Sequence, residues 1–284
     1  MRHAVLGAGG IGGLIGAALA RAGHDVLLLL RLNKLLEYPG RLAVESAVLG
    51  TFEVEVPAAA ALDRDVDVLW VATKATQLES ALDAASPEHA GTVVPLLNGV
   101  DHVAFLRERY PRVIAATIAV ESERVGWTIR QPSPFLRVAM TDRAIAAELG
   151  ATGIDCSTSD DEATLLWSKL TLLAPMALAT TALDAPFGDV RADDRILRCR
   201  SEAFAVARAE GARVDEDAVL ATAAAMLDSM RSSMQKDVDA GREPELDAIA
   251  GPILRGGRRH GLPVDATAEL AALVAKRSAR AARA

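Results

Sequence analysis

The chain has 284 residues, of which 51% are hydrophobic and 24% are charged, and its formal net charge at pH 7 is −7. These values describe a globular protein long enough for two domains of ordinary size. The negative charge argues against nucleic acid or an anionic membrane surface as the main partner.

The two cysteines, Cys156 and Cys199, have neither CxxC spacing nor a pairing pattern, which favours a reducing, cytoplasmic compartment. The histidines show no metal-ligand spacing such as HxxxH, so we expect no metal. The apolar stretch from Ala4 to Ala20 imitates a signal peptide, but its glycines follow a nucleotide-binding motif. No other run approaches the roughly 20 apolar residues of a membrane span, so we expect no membrane association.

The first thirty residues follow the order strand, glycine turn, helix, strand. Residues 3–6 predict a short buried strand, residues 25–30 predict a second one, and helical spacing begins at Ile11 and ends near Gly23. The turn between the first strand and the helix has the pattern G-x-G-x-x-G, which in this context predicts dinucleotide binding at the positive end of the helix. The predicted cofactor-binding residues of the turn are Gly7, Gly9, Gly10, Ile11 and Gly12.

The residue after the second strand indicates which dinucleotide is bound. An NAD site places Asp or Glu there to hold the ribose 2′-hydroxyl, whereas this chain has Arg31, with Lys34 close behind. A guanidinium matches a 2′-phosphate, so we predict NADP(H). The alternative is an ordinary exposed loop arginine.

Further apolar runs over residues 66–72, 92–97 and 113–120 predict more strands, alternating with helices. This alternation is typical of an α/β fold, a Rossmann-type doubly wound parallel sheet whose ligands bind beyond the strand ends. Lys74, Gln77 and Asn98 follow such strand ends, so we expect them to face the cofactor; simple solvent exposure is the alternative.

The second half of the chain changes character. Residues 121–142 have β character with proline punctuation and predict an antiparallel addition to the sheet. The polar cluster at residues 157–160 predicts a helix cap, and the pattern beyond it is helical almost to the end, with stops at Gly211 and Gly261. We therefore predict an NADP-binding Rossmann domain over residues 1–158 and an all-α C-terminal substrate and catalytic domain over residues 159–284.

Motifs spread over nearly the whole chain together resemble the ketopantoate reductase (2-dehydropantoate 2-reductase) family. They are the glycine turn, Arg31, Thr73-Lys74-Ala75 with Gln77, Asn98-Gly99, Trp167-Ser168-Lys169-Leu170, and Ser232-Ser233-Met234 through Asp237 to Glu245. The resemblance implies a cytoplasmic oxidoreductase of pantothenate biosynthesis that reduces a small-molecule 2-oxo acid with NADPH. It also implies an active site where a Rossmann domain joins a helical domain. Helical second domains in related folds often dimerise, so a homodimer is one state that the resemblance allows.

Carried over residue by residue, the resemblance makes Lys169 the proton donor and the stabiliser of the developing alkoxide. Glu245 would accept a hydrogen bond from a substrate hydroxyl, and Ser233 would donate one to the substrate carboxylate. Asn98 would lie near the nicotinamide ribose and the substrate. The alternatives are a snorkelling Lys169, a solvated acid at a helix start for Glu245, and a helix cap for Ser233.

The chain departs from the family pattern after the lysine. The family carries asparagines one and two helical turns later, where this chain has Leu173 and Ala177, and Pro175 adds an expected helix kink. The segment from Glu121 to Pro134 also differs. We therefore expect the acceptor to be a less polar 2-oxo acid. The other functions left open are a related dehydrogenase of another carbonyl or imine, and a non-catalytic NADP-binding sensor.

Overall fold

The computed structural model describes residues 1–283, which divide into two compact units. The first contains Met1–Leu97 and His102–Asp160, and the second contains Asn98–Asp101 and the chain from Asp161 onward. The sequence-based boundary lies two residues earlier, between residues 158 and 159. The short segment Asn98–Asp101 packs with the second unit, which no local sequence pattern indicated.

The main sheet of the first unit is parallel and has the strand order β5-β2-β1-β6-β7. Its strands are β1 (Arg2–Leu6), β2 (Asp25–Leu29), β5 (Ala58–Ala59), β6 (Val66–Val71) and β7 (Ala90–Pro95), and the intervening β3 and β4 are Arg41–Ser46 and Gly50–Glu55. Leu6 is in register with Leu29 on one side and Val71 on the other. The residues that follow these three strands therefore emerge side by side at one edge, as the sequence predicted.

Two smaller sheets complete the first unit, with strand orders β4-β3-β10-β9 and β12-β11-β8. The remaining strands are β8 (Ala116–Val120), β9 (Glu123–Val125), β10 (Thr128–Gln131), β11 (Leu136–Met140) and β12 (Asp155–Thr158). The helices that begin within this part of the chain are α1 (Gly10–Arg21), α2 (Leu32–Glu37), α3 (Leu78–Ala81), α4 (Asp101–Arg107) and α5 (Arg143–Gly150).

The predicted antiparallel addition was right about the pairing and wrong about the sheet: β9 pairs antiparallel with β10 and β11 pairs antiparallel with β8, but both pairs belong to the two smaller sheets. β10 pairs in parallel with β3, a strand that the sequence analysis did not predict, because Ile129 is buried with Leu42 and Val44 in one core. The cap prediction at residues 157–160 was also displaced. Ser157 and Thr158 belong to β12, and Asp161 caps the next helix by accepting a hydrogen bond from the Thr164 backbone N–H at 3.0 Å.

Within its described residues the second unit has helices and loops and no strand, which confirms the predicted all-α part. Its helices are α6 (Glu162–Leu183), α7 (Phe187–Val190), α8 (Asp194–Ala209), α9 (Glu216–Ala224), α10 (Ser233–Asp239), α11 (Leu246–His260) and α12 (Asp265–Ala281). Gly211 and Gly261 follow α8 and α11 with φ of +86° and +66°, so both predicted helix stops are confirmed.

The central helix of the second unit is α6, whose residues pack in its apolar core against residues of α8, α11 and α12. Within residues 1–283, α6 is the one helix whose length and composition would allow it to cross a membrane, a candidate that the sequence analysis did not anticipate. Most of this apolar stretch (61%) is buried inside the protein. A core helix that is apolar on nearly all sides accounts for the same composition.

Candidate functional site

The glycine turn joins the end of β1 to the start of α1. Gly7 has φ +95°, and a Cβ there would lie 2.9 Å from the backbone nitrogen of Thr73, which follows β6. A Cβ on Gly12 would overlap the carbonyl oxygen of Gly7. Gly9 differs, because among the described residues, its own chain neighbours apart, no atom lies within 4 Å of the place its Cβ would take. The turn is therefore tightly packed at Gly7 and Gly12 and leaves free space beside Gly9, at the amino end of α1. A dinucleotide pyrophosphate fits this space.

The divergent segment 121–134 supports this turn from one side. Ser122 donates a hydrogen bond from Oγ to the Gly10 carbonyl at 3.0 Å, and a Cβ on Gly10 would overlap the Ser122 carbonyl oxygen. One turn further, a Cβ on Gly13 would overlap the Ile129 side chain. The sequence analysis did not assign this segment a role. Its contacts explain why Gly10 and Gly13 lack side chains.

Arg31 and Gln77 meet beyond the ends of β2 and β6. Arg31 Nη2 donates to Gln77 Oε1 at 3.1 Å, and both side chains are exposed. Lys74 is half-buried and precedes the short 3₁₀ turn that contains Gln77. Three of the predicted cofactor-side residues are thus placed at the edge of the sheet that carries the glycine turn. The partner of the Arg31 guanidinium in this contact is a neutral amide rather than a carboxylate.

The second unit brings together three of the predicted catalytic and substrate residues. Lys169 lies early in α6, and Glu245 occupies the position just before α11, where its side chain makes no capping hydrogen bond. Asn98 donates from Nδ2 to Glu245 Oε2 at 3.2 Å, across 147 residues of sequence. Asn98 was expected near both the nicotinamide ribose and the substrate; the structure groups it with the helical unit, and both roles stay predictions.

The Lys169 ammonium lies in surroundings that disfavour its charge. Burial lowers its pKa to about 8, and the nearby Glu245 carboxylate opposes part of that change. With a pKa of about 8 the amine is mostly protonated at neutral pH, yet it gives up its proton more readily than an ordinary lysine, as a general acid requires. A snorkelling lysine would hold its amine in bulk water, where burial could not lower its pKa, so the lowered pKa argues against that alternative.

Ser233 lies at the first position of α10, and its side chain is exposed. The preceding Ser232 is the cap: it is 4% exposed, accepts a hydrogen bond from the Gln235 backbone N–H at 3.1 Å and receives another from Thr180 Oγ1 at 2.9 Å. The alternative that Ser233 serves as the cap is therefore wrong, and its predicted role toward a carboxylate stays a prediction.

The two apolar positions that depart from the family pattern differ in how deeply they are buried. Leu173 is half-buried and packs against the cores around α6, whereas Ala177 is 1% exposed inside the core of the second unit. α6 continues through Pro175 without ending. An amide in place of Leu173 could reach the surface of the helix beside Lys169. An amide in place of Ala177 would need a polar partner inside the core.

Two histidines and a glutamate that the sequence analysis did not connect meet near the amino end of β1. His24 Nδ1 lies 3.0 Å from Glu148 Oε1, and His3 Nε2 lies 3.4 Å from the same atom. Three such side chains could hold a metal ion. Trp70 Nε1 however donates to His3 Nδ1 at 3.2 Å, which leaves the proton of the neutral ring on Nε2, the atom that a metal would need. The arrangement favours an ion-pair cluster over a metal site.

Comparison with known proteins identifies relatives of the whole chain. A family described as ketopantoate reductase PanE/ApbA matches residues 3–135, and its C-terminal part matches residues 163–278. The chain is 31% identical to the 2-dehydropantoate 2-reductase of Mycobacterium tuberculosis over 299 residues, 97% of each chain. A PanE/ApbA family ketopantoate reductase from Ralstonia eutropha has a TM-score of 0.89 at 29% identity, over 99% of each chain. D-mandelate dehydrogenase with NADH and anilino(oxo)acetate has a TM-score of 0.87 at 21% identity, over 99% of each chain, and shows the fold alone.

Proposed function

Because the chain belongs to the ketopantoate reductase family, as its motifs predicted, we propose that it reduces a 2-oxo acid to the 2-hydroxy acid with NADPH, using Lys169 as the proton donor. The observation that carries this proposal is the half-buried Lys169, whose pKa burial lowers to about 8 in the presence of the Glu245 carboxylate.

The chemistry divides between the coenzyme and the chain. When bound, the dinucleotide supplies a hydride to the carbonyl carbon of the acceptor. Lys169 supplies the proton to the carbonyl oxygen, and its positive charge stabilises the negative charge that develops there. Glu245, held by the Asn98 amide, accepts a hydrogen bond from the 2-hydroxyl group that the reduction forms, and the exposed Ser233 hydroxyl donates one to the substrate carboxylate.

Arg31 supports the choice of NADPH over NADH. Its guanidinium stands at the position where an NAD site carries an acid, and the neutral amide of Gln77 orients it. A 2′-phosphate would accept two hydrogen bonds from such a fork. The D-mandelate dehydrogenase structure contains NADH, so the fold alone does not decide which coenzyme is used.

The apolar side chains after Lys169 support a substrate less polar than ketopantoate. Leu173 presents hydrocarbon one turn beyond the lysine, and Ala177 is enclosed in the core. A binding site without a partner for a substrate hydroxyl must leave that hydroxyl desolvated, which costs binding free energy. The acceptor would then be a 2-oxo acid with an alkyl or aryl side chain.

The proposed function is tested by measuring NADPH oxidation with ketopantoate and with trimethylpyruvate, which lacks only its hydroxyl group. We expect kcat/KM to favour trimethylpyruvate by about tenfold or more, the effect of one unpaired polar group. Leu173→Asn should move the preference toward ketopantoate, whereas Leu172→Asn, on a neighbouring face of α6, should not. A clear preference for ketopantoate would overturn the less polar substrate. Tight NADPH binding without turnover of any 2-oxo acid would instead indicate a sensor protein.

The rate of reduction should fall above about pH 8, because Lys169 loses its proton there. In a profile of log kcat/KM against pH, reduction should decline and oxidation of the 2-hydroxy acid should rise over the same range. Glu245→Gln removes the charge that raises the pKa of Lys169, so its profile should decline at lower pH than that of the parent. A reduction rate that stays constant between about pH 7 and pH 10, the reference value for a free lysine, would contradict the assignment.

A further inference from the structure

The segment Asn98–Asp101 follows β7 in the chain but packs with the second unit. Gly99 has φ +90°, and a Cβ there would overlap the carbonyl oxygen of Ala248 in the first turn of α11. Val100 packs against the apolar core of the helical unit. The backbone of the segment therefore lies directly on the start of α11, the helix that Glu245 precedes.

A guanidinium fastens the end of this segment to the same helix. Arg255 Nη2 donates to Asp101 Oδ2 at 2.6 Å, and Arg255 Nη1 donates to Asp247 Oδ1 at 2.7 Å. The hydrogen bond that Arg255 donates to Asp247, and after it the one to Asp101, raises the pKa of Arg255 above its usual value. We call these three residues the arginine clamp.

Gly251 makes room for the arginine clamp. It lies one turn after Asp247 and one turn before Arg255, on the same face of α11. A Cβ on Gly251 would overlap Arg255 Nη2 and lie 2.5 Å from Asp247 Oδ1. A glycine inside a helix is otherwise unfavourable relative to alanine. The absence of a side chain at Gly251 leaves the space that the Arg255 guanidinium occupies beside Asp247.

We propose that Arg255 is a positioning residue for the reduction: through Asp101 it holds Asn98 where its amide meets the Glu245 carboxylate. The inference rests on the proposed function, in which Asn98 and Glu245 contact the acceptor. The clamp is poorly placed to stabilise the fold, because the side chains of Arg255 and Asp247 are 37% and 82% exposed and exposed ion pairs add little stability. The orientation of a catalytic group is far more sensitive to a small displacement.

Two substitutions break the clamp in different ways. Arg255→Met removes the guanidinium, whereas Gly251→Ala keeps every charge, improves helix propensity and displaces the ion pair. Arg259→Met is the matched control, because Arg259 lies one turn further along α11, is 62% exposed and pairs with Glu210. We expect both clamp variants to lower kcat about tenfold, a small part of what misplacement of a catalytic group can cost. KM for NADPH and the melting temperature should stay at parent values, and Arg255→Lys should be intermediate.

Hydrogen exchange of the backbone amides of Gly99 and Val100 tests the clamp without reference to activity. Exchange should be faster in Arg255→Met and Gly251→Ala than in the parent and in Arg259→Met. Unchanged exchange, or faster exchange with unchanged kcat, would overturn the proposal. If none of the 2-oxo acids tested supports NADPH oxidation by the parent protein, the proposed function fails independently of the clamp. The exchange rates then still show whether Arg255 and Gly251 hold the segment.

Discussion

Replacing Lys169 with methionine is expected to lower kcat for 2-oxo acid reduction by about 10²–10⁴-fold, the range that one general acid contributes. Methionine keeps the length of the side chain and its helix propensity but carries neither proton nor charge. Because burial disfavours the Lys169 ammonium, removal of the charge should leave the melting temperature unchanged or higher. The measurement is steady-state NADPH oxidation with the best acceptor, together with a thermal unfolding curve.

The control for this prediction is Lys276→Met, since Lys276 is an exposed lysine on α12 of the same unit. It should keep the parent kcat. NADPH affinity, followed by the fluorescence of the bound coenzyme, should be similar in both variants and the parent. If Lys169→Met retained a kcat within a few-fold of the parent, Lys169 would not be the proton donor, and another acid would have to be sought.

Replacing Arg31 with alanine is expected to lower kcat/KM for NADPH by about 10–100-fold, because a hydrogen bond to a charged group contributes about 1.5–3 kcal/mol. kcat/KM for NADH should change little, since the ribose 2′-hydroxyl of NADH gains nothing special from a cation. The ratio of the two specificity constants is therefore the quantity to measure. In the parent protein this ratio should fall as ionic strength is raised, because the Arg31 site is exposed and salt screens its charge.

Arg64→Ala provides the comparison for the coenzyme prediction. Arg64 is an exposed arginine of the same unit that pairs with Asp25 at the start of β2, whereas Arg31 follows the end of that strand. It should leave the ratio of NADPH to NADH unchanged. An equal loss with both coenzymes in Arg31→Ala would mean that Arg31 supports the fold of the turn rather than reading the 2′-phosphate.

Several features could be predicted because they repeat over short, contiguous stretches. The alternation of buried strands and helices predicted that β2, β1, β6 and β7 run parallel, since parallel neighbours require crossover connections. The glycine spacing predicted a turn that is open above Gly9 and closed around Gly7 and Gly12. Lys169 lies on a helix in an apolar environment, as its neighbours in the sequence indicated.

Other features depend on details that no local pattern carries. Ser232 and Ser233 are adjacent and identical in type, yet one is a buried cap and the other is exposed. The difference follows from where α10 begins, because each helical position turns the side chain by about 100°. Likewise, the small sheet of β3 and β10 joins segments more than eighty residues apart, and strand propensity does not choose a partner strand.

The amino-acid sequence by itself determined the family, the fold class and the dinucleotide turn. Each of these depends on residues that are close together in the chain or that recur at a fixed period. Only the tertiary structure decided that Asn98 donates to Glu245, that Ser122 and Ile129 support the glycine turn, and that Arg255 bridges Asp101 and Asp247. The physical reason is that these contacts join distant parts of the chain. The distances and directions of these contacts are set by how whole helices and strands pack. A shift of one residue in the register of an element would move the side chains that make them.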